Sequence, residues 1–142
     1  MAIKQISIFV ENKPGRLAKI TSILAENSVD IRALSIADTT DYGILRLIVS
    51  DPEKAEKILK EEKITVSITN VLGIGIEDVP GGFSFAIKTL ADSGISVEYA
   101  YAFITPDAGK AYVIIRVDDN DAATKVLKQA DIRVIDQNEI FI

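Results

Sequence analysis

Two short stretches carry the residues best suited to holding a charged ligand. Asn12 stands two residues before Pro14-Gly15, with Arg16 and Leu17 just after; Asp78 stands two before Pro80-Gly81, with Gly82 and Phe83 just after. In both places an alternating apolar run gives way to a helical pattern, so each Pro-Gly marks a strand-to-helix junction. The first N–H groups of a helix have no partner within it, and its dipole favours negative charge there. A Ser, Thr, Asn or Asp next to the helix usually accepts from some of them. Lys13 and Val79, which directly precede the prolines, cannot. The N–H groups from Gly15 to Leu17 and from Gly81 to Phe83 are thus open to another acceptor, and glycine lets it come close to the backbone. Arg16 has the geometry to grip a carboxylate in a fork, although a solvated surface arginine would look the same. Asn12, Asp78 and Asp30 offer acceptors for a cationic group. The plainer alternative is that Asn12 and Asp78 cap their own helices from a distance and that Pro-Gly is only a turn.

Other chemistry is restricted by what the chain lacks. There is no cysteine, histidine or tryptophan. Disulfides, thiolate nucleophiles, imidazole bases and His- or Cys-ligated metals are therefore ruled out, and neither a metal nor a cofactor is expected. Carboxylates remain, and Asp118, Asp119 and Asp121 cluster, but they stand where a helix should begin, so capping explains them. The reading is accordingly that the chain is not an enzyme, with a small carboxylate-based enzyme kept as an alternative. Sixteen basic residues against 21 acidic ones give a net charge of −5, with the basic residues scattered. Nucleic acid is not an expected partner, because phosphate contacts need clustered Lys and Arg. No apolar run is long enough to span a bilayer, and "MAIKQISIF" has no basic-then-apolar signal pattern, so a cytoplasmic location without membrane contact is expected.

The junction occurs twice because the chain does. At the offset between Pro14 and Pro80, Ile8 meets Ile74, Glu11 meets Glu77, Leu17 meets Phe83, Leu24 meets Leu90, and Ile31 meets Val97. After two extra residues in the second copy, Ala55 meets Ala123, Leu59 meets Leu127 and Val66 meets Val134. The expected division is residues 1–69 and 70–142, with no Gly/Ser/Pro linker between the copies. Units of ~70 residues bury thin cores, so each gains from packing against another surface.

Each copy reads as strand, helix, two strands, helix, strand. Ile6, Ile8 and Val10 alternate with Gln5, Ser7 and Phe9; Leu17, Ile20 and Leu24 then recur at helical spacing. Two strands joined by "DTTDYG" follow, then a helix capped by Ser50 or Asp51 with Pro52 in its first turn, and "KITVSI" closes the unit. A βαββαβ unit of this length makes a ferredoxin-like, α+β arrangement: a four-stranded antiparallel sheet with both helices on one face. In the second copy Tyr99, Tyr101 and Phe103 share one side of a strand, and Ala100, Ala102 and Ile104 the other, so both faces are expected to be covered. Gly73 and Gly75 share a face and leave room for something close. A sheet from the other copy or from a second chain would fill that role, and a ligand wall is the alternative use of the aromatic stripe.

"ENKPGRLAKITSILAENSVDI" and "EDVPGGFSFAIKTLADSGISV" resemble the ACT domain, a small ferredoxin-like module, and the resemblance covers essentially the whole chain as a tandem pair. It implies allosteric regulation: ACT domains bind free amino acids at their interfaces, pair through sheet or helix faces, and serve enzymes of amino-acid metabolism. It also implies that the loop Asn and the polar residue entering strand two touch the ligand, which here gives Asn12 and Asp30, with Asp78 and Ser96 in the second copy. The expected ligand-binding set is Asn12, Pro14, Gly15, Arg16, Leu17, Asp30, Ile31, Asp78, Gly81, Gly82, Phe83 and Ser96. The expected partners are a free amino acid, a second copy in a homodimer, and a metabolic enzyme. An interaction module that has lost ligand binding is the alternative. The copies differ at the junction: Asn12 both donates and accepts where ionised Asp78 only accepts, Arg16 is matched by Gly82, and Asp30 by Ser96.

Overall fold

The computed structural model describes residues 2–38, 41–103 and 108–140. Thr39 and Thr40 of the expected turn, and Ile104 of the aromatic strand, lie outside the described residues. The elements run β1 (Ile3–Glu11), α1 (Arg16–Glu26), β2 (Ile31–Asp38), β3 (Tyr42–Val49), α2 (Pro52–Glu61), β4 (Val66–Glu77), α3 (Gly82–Asp92), β5 (Val97–Phe103), β6 (Lys110–Val117), α4 (Asn120–Gln129) and β7 (Arg133–Ile135), closed by a 3₁₀ turn, Gln137–Glu139. The chain divides into two compact units. An N-terminal unit spans Lys4–Thr69, and a C-terminal unit spans Asn70–Ile142 and takes in the first three residues. One feature differs from the sequence reading. No turn separates the strand that closes the first copy from the one that opens the second; β4 runs through both, Val66 to Glu77.

In the N-terminal unit the strands lie in the order β2-β3-β1-β4, and in the C-terminal unit β5-β6-β4-β7. Antiparallel registers fix the faces: Ile6 opposes Leu47 and Ile8 opposes Leu45 in one unit, Leu72 opposes Ile115 and Ile74 opposes Val113 in the other. These side chains point toward the helices. Ile20 and Leu24 of α1 and Ala55 and Leu59 of α2 close the first core; Ala86, Leu90, Ala123 and Leu127 close the second. The helix stripes thus recur at spacing of four, which puts them on one side of each helix. Asp51 caps α2 by accepting from the Lys54 N–H (3.1 Å), and Asp119 caps α4 by accepting from Ala122 (3.0 Å). Capping is therefore what this member of the acidic cluster does.

Leu17 and Phe83, in phase with the buried stripes, are each 41% exposed in the first turn of their helices. On the helix side of the single chain, Leu34 and Ile36 of β2 are exposed, as are Ala100 and Ala102 of β5. The helices lie over the inner strands, leaving this edge strand open in each unit. The space at Gly73, in contrast, is filled from within its own unit. A Cβ there would come 2.5 Å from Cδ1 of Ile3, and one at Gly75 would press on the Tyr112 ring at 3.3 Å.

Candidate functional site

Both Pro-Gly junctions fold alike, and the glycines explain how. Gly15 (φ 84) and Gly81 (φ 88) are the N-cap residues of α1 and α3, in the left-handed region that glycine adopts without strain. The first helical bonds run from Lys19 to the Gly15 carbonyl and from Phe85 to the Gly81 carbonyl, both 2.9 Å. No side chain caps either helix, but two N–H groups expected to be open are taken by the preceding turn: Arg16 donates to the Lys13 carbonyl (3.3 Å) and Gly82 to that of Val79 (3.0 Å). Distant capping by Asn12 or Asp78, the plainer reading, is thereby excluded. No atom lies within 4 Å of where a Cβ would stand at Gly15 or Gly81, so the approach beside each helix start is open.

Next to Gly15 is a shallow cleft of about 160 Å³, lined by Val10, Asn12, Lys13, Leu17, Ile36 and Gly43 among others. The polar end is Asn12, whose N–H donates to the Asp41 carbonyl (3.0 Å), and the apolar end is Leu17 and Ile36. Binding pockets for small molecules usually measure ~300–1,000 Å³. This one is about half of the smallest such space, with exposed Leu17 and Ile36 in its wall.

Other residues of the expected set go elsewhere. Arg16 does not line this cleft. It flanks the opposite side of the α1 start, with Nη2 3.9 Å from the Glu11 carboxylate, which lies 3.1 Å from Lys13. The Lys13 ammonium, through its hydrogen bond and charge, and then the charge of Arg16, hold the Glu11 carboxyl below its ordinary value. Asp30 precedes β2 and Ile31 begins it, opposing Val49, whereas Asn12 follows the end of β1, where Val10 opposes Gly43 and Asp38 of β2 does too. At ~3.3 Å per residue the length of β2 keeps Asp30 roughly 20 Å from Asn12 within one unit. The Asp30 N–H donates to Ser50 Oγ (2.9 Å), and its carboxylate lies 3.5 Å from Arg32 Nε. Ser96 precedes β5 in the same way, at the far end from Asp78, whose N–H bonds the Gly109 carbonyl (3.1 Å).

In the C-terminal unit, Gly82 is a steric requirement. A Cβ there would stand 2.1 Å from the Glu77 carbonyl oxygen, so no arginine matching Arg16 fits. Beside Gly81 and Gly82 lies a larger cleft of about 440 Å³, with Glu77, Phe85, Lys110, Asp131 and Arg133 in its walls. Lys110 pairs with Glu77, and Arg133 with Glu139 (3.1 Å), so its cations are neutralised. Gly81 and Gly82 of the expected set line this cleft, and its other walls come from β4, α3, β6 and β7, which no spacing along the chain brings together. Among the described residues no helix is long and apolar enough to cross a membrane, and no group of His, Cys, Asp and Glu could hold a metal ion.

A protein of known crystal structure from Bacteroides thetaiotaomicron is 40% identical to this chain, with a TM-score of 0.93 over 99% of this chain and 96% of that one. The regulatory subunits of aspartate kinase from Thermus thermophilus (18% identity, TM-score 0.66, 89% of this chain and 91% of that one) and Thermus flavus (17%, 0.62, 90% and 92%) share the fold. No curated protein gives a match. The description "ACT domain pair" matches residues 1–141, and with the duplicated ferredoxin-like units and their glycine-capped junctions in view, the chain belongs to the ACT domain pair family.

Proposed function

We propose that this protein is an amino-acid-sensing regulator that binds a free amino acid at the Asn12–Leu17 junction. The observation that carries this reading is a helix start with no side-chain cap, beside a cleft with Asn12 at one end and Leu17 and Ile36 at the other. The ligand's carboxylate takes the first-turn N–H groups of Leu17 and Ala18, that of Arg16 being bonded to the Lys13 carbonyl, where the helix dipole favours it. Its ammonium is met by the Asn12 amide oxygen, and its side chain lies on the apolar wall. Pro14 and Gly15 supply backbone shape; Arg16, turned to the other side, is left out of the ligand set.

A second copy completes the site. β2 is an edge strand with exposed Leu34 and Ile36. Antiparallel pairing of two such edges places the start of one β2 beside the end of the other. Asp30 and Ile31 of the partner subunit then close the cleft over Asn12, which accounts for their distance within one unit. Ligand binding would shift this dimer packing and so act on an enzyme of amino-acid metabolism. The likeness in fold to regulatory subunits of aspartate kinase supports a subunit that works on a separate catalytic chain. In the C-terminal unit Asp78, Gly81, Gly82, Phe83 and Ser96 occupy the matching places. There Asp78 only accepts, so that junction serves shape more than ligand.

A thermal-shift screen of all the standard amino acids tests this. A ligand at a hundredfold excess over Kd stabilises by about 2.7 kcal/mol, an easily read shift. No shift from any of them at millimolar concentration would sink the proposal.

A further inference from the structure

Across the α1 start from the Asn12 cleft lies a second hollow of about 240 Å³, between the end of β1, the start of β3 and the turn after α2. Its floor is aromatic. Phe9 and Tyr42 have ring centroids 5.7 Å apart, tilted by 58°, and are 54% and 49% exposed. Its lip is basic, with Arg16, Lys19 and Lys63 set against Glu11 and Glu62. Lys13, outside the hollow, takes up the Glu11 carboxylate, so the lip has more positive than negative charge to offer. Among the described residues Lys19 and Lys63 form no ion pair.

Lys63 sits there against its own backbone preference. It follows α2 with φ 61, its N–H donating to the Lys60 carbonyl (2.9 Å) and that of Ile64 to Leu59 (3.0 Å). Helices commonly end this way, and the left-handed position is usually glycine or asparagine. Ser28 and Asp131 take the same conformation after α1 and α4 (φ 59 and φ 58), so the turn is shared and only the lysine side chain is particular to this place. The C-terminal unit keeps the left-handed turn at Asp131 (φ 58) but changes the side chains around it. There Gly75 replaces Phe9, Lys110 replaces Tyr42, Phe85 replaces Lys19, and Asp131 replaces Lys63.

We propose that this hollow binds a small anion carrying a flat ring, with the ring against Phe9 and Tyr42 and the anionic group on Lys19, Lys63 and Arg16. Aromatic side chains stack on any planar ring, and the two tilted rings offer a face and an edge. Two sources share this chemistry: a nucleoside 5′-monophosphate and an aromatic carboxylate. The net charge of −5 disfavours a long polyanion in their place.

Calorimetric titration of the full chain with AMP, phenylpyruvate, adenosine and inorganic phosphate tests the proposal. AMP or phenylpyruvate is expected to bind with Kd below about 1 mM, and which of them binds identifies the source. Adenosine, which lacks the anion, and phosphate, which lacks the ring, are expected to bind at least about tenfold more weakly. Phe9→Ala should weaken binding by about tenfold. Lys63→Gly should weaken it several-fold while raising the thermal midpoint, since glycine suits the left-handed position, which separates a lost contact from a damaged fold. Asn12→Ala should leave this affinity unchanged, so failure here is distinct from failure of the amino-acid site. Absence of binding by both ring anions at about 1 mM, phosphate binding as tightly as either, or unchanged affinity in both Phe9→Ala and Lys63→Gly would overturn it.

Discussion

At the start of α1 the chain carries Asn12, Arg16 and Leu17; at the start of α3, on the same fold, it carries Asp78, Gly82 and Phe83. The helix starts scarcely differ. Gly15 and Gly81 cap their helices at φ 84 and φ 88, neither helix has a side-chain cap, and the first helical bonds are both 2.9 Å. The surroundings do differ. Arg16 has room beside Glu11, whereas Gly82 is pinned beneath the Glu77 carbonyl; Lys63 stands on one lip where Asp131 stands on the other. The two junctions therefore share their helix starts, while the loop backbone before the helix differs enough to admit a side chain at Arg16 and none at Gly82. Likeness of shape between the units does not transfer a site from one to the other.

The units should respond equally where they share a core and unequally where they do not. The largest effects are expected from Leu24→Ala and Leu90→Ala, matched positions with 0% exposure. Each should cost about 2–5 kcal/mol in urea unfolding. A much smaller cost for one would break the equivalence of the two cores. Next comes the exchange at the junction: Gly82→Arg forces a Cβ onto the Glu77 carbonyl and should cost about 3 kcal/mol. Arg16→Gly should cost well under half of that, since only helix propensity is lost at an exposed first-turn position. Similar losses in chemical denaturation would show that the two loops are interchangeable after all.

Gly15→Ala and Gly81→Ala should each cost about 1–2 kcal/mol, because both meet open space and differ from glycine only in the strain of positive φ. The smallest effect is a pH dependence. Glu11 has a lowered carboxyl pKa through Lys13 and Arg16, so its contribution is present above the ordinary value near 4.5 and is lost as pH falls through the lower folded value. Lys13→Gln should flatten the fall in thermal midpoint below about pH 4.5 slightly. An unchanged profile would remove Glu11 from the list of differences between the units.

Much of this organisation was legible in the sequence, for physical reasons. Periods of two and of about four residues recur in matching order, so Ile6 with Ile8 and Ile20 with Leu24 announce strand and helix faces before any coordinates. Lys13 and Val79 are poor caps, and the structure shows uncapped helices where they lead. Relations across the sheet were not legible. Asp30 lies far from Asn12 because β2 runs antiparallel to β3, and no spacing along the chain encodes that register. Arg16 turns toward Glu11 by a rotamer choice. The Phe9–Lys63 hollow joins residues from three elements. Gln5 is fully buried beside Ser7, whose Oγ accepts from its amide (3.2 Å), although its type suggests exposure. Continuity of β4 was hidden because turn residues such as Thr69 and Asn70 also tolerate a strand.

The central claim is that a free amino acid occupies the α1 junction. Its most direct test follows backbone amide NMR signals while the standard amino acids are added in turn. The account predicts that at least one shifts the amides of Gly15, Leu17 and Ala18 most strongly, with Gly81, Phe83 and Ser84 moving less, and that Asn12→Ala abolishes the effect. Signals that stay fixed at the α1 start with every amino acid, or shifts confined to the α3 start, would contradict it.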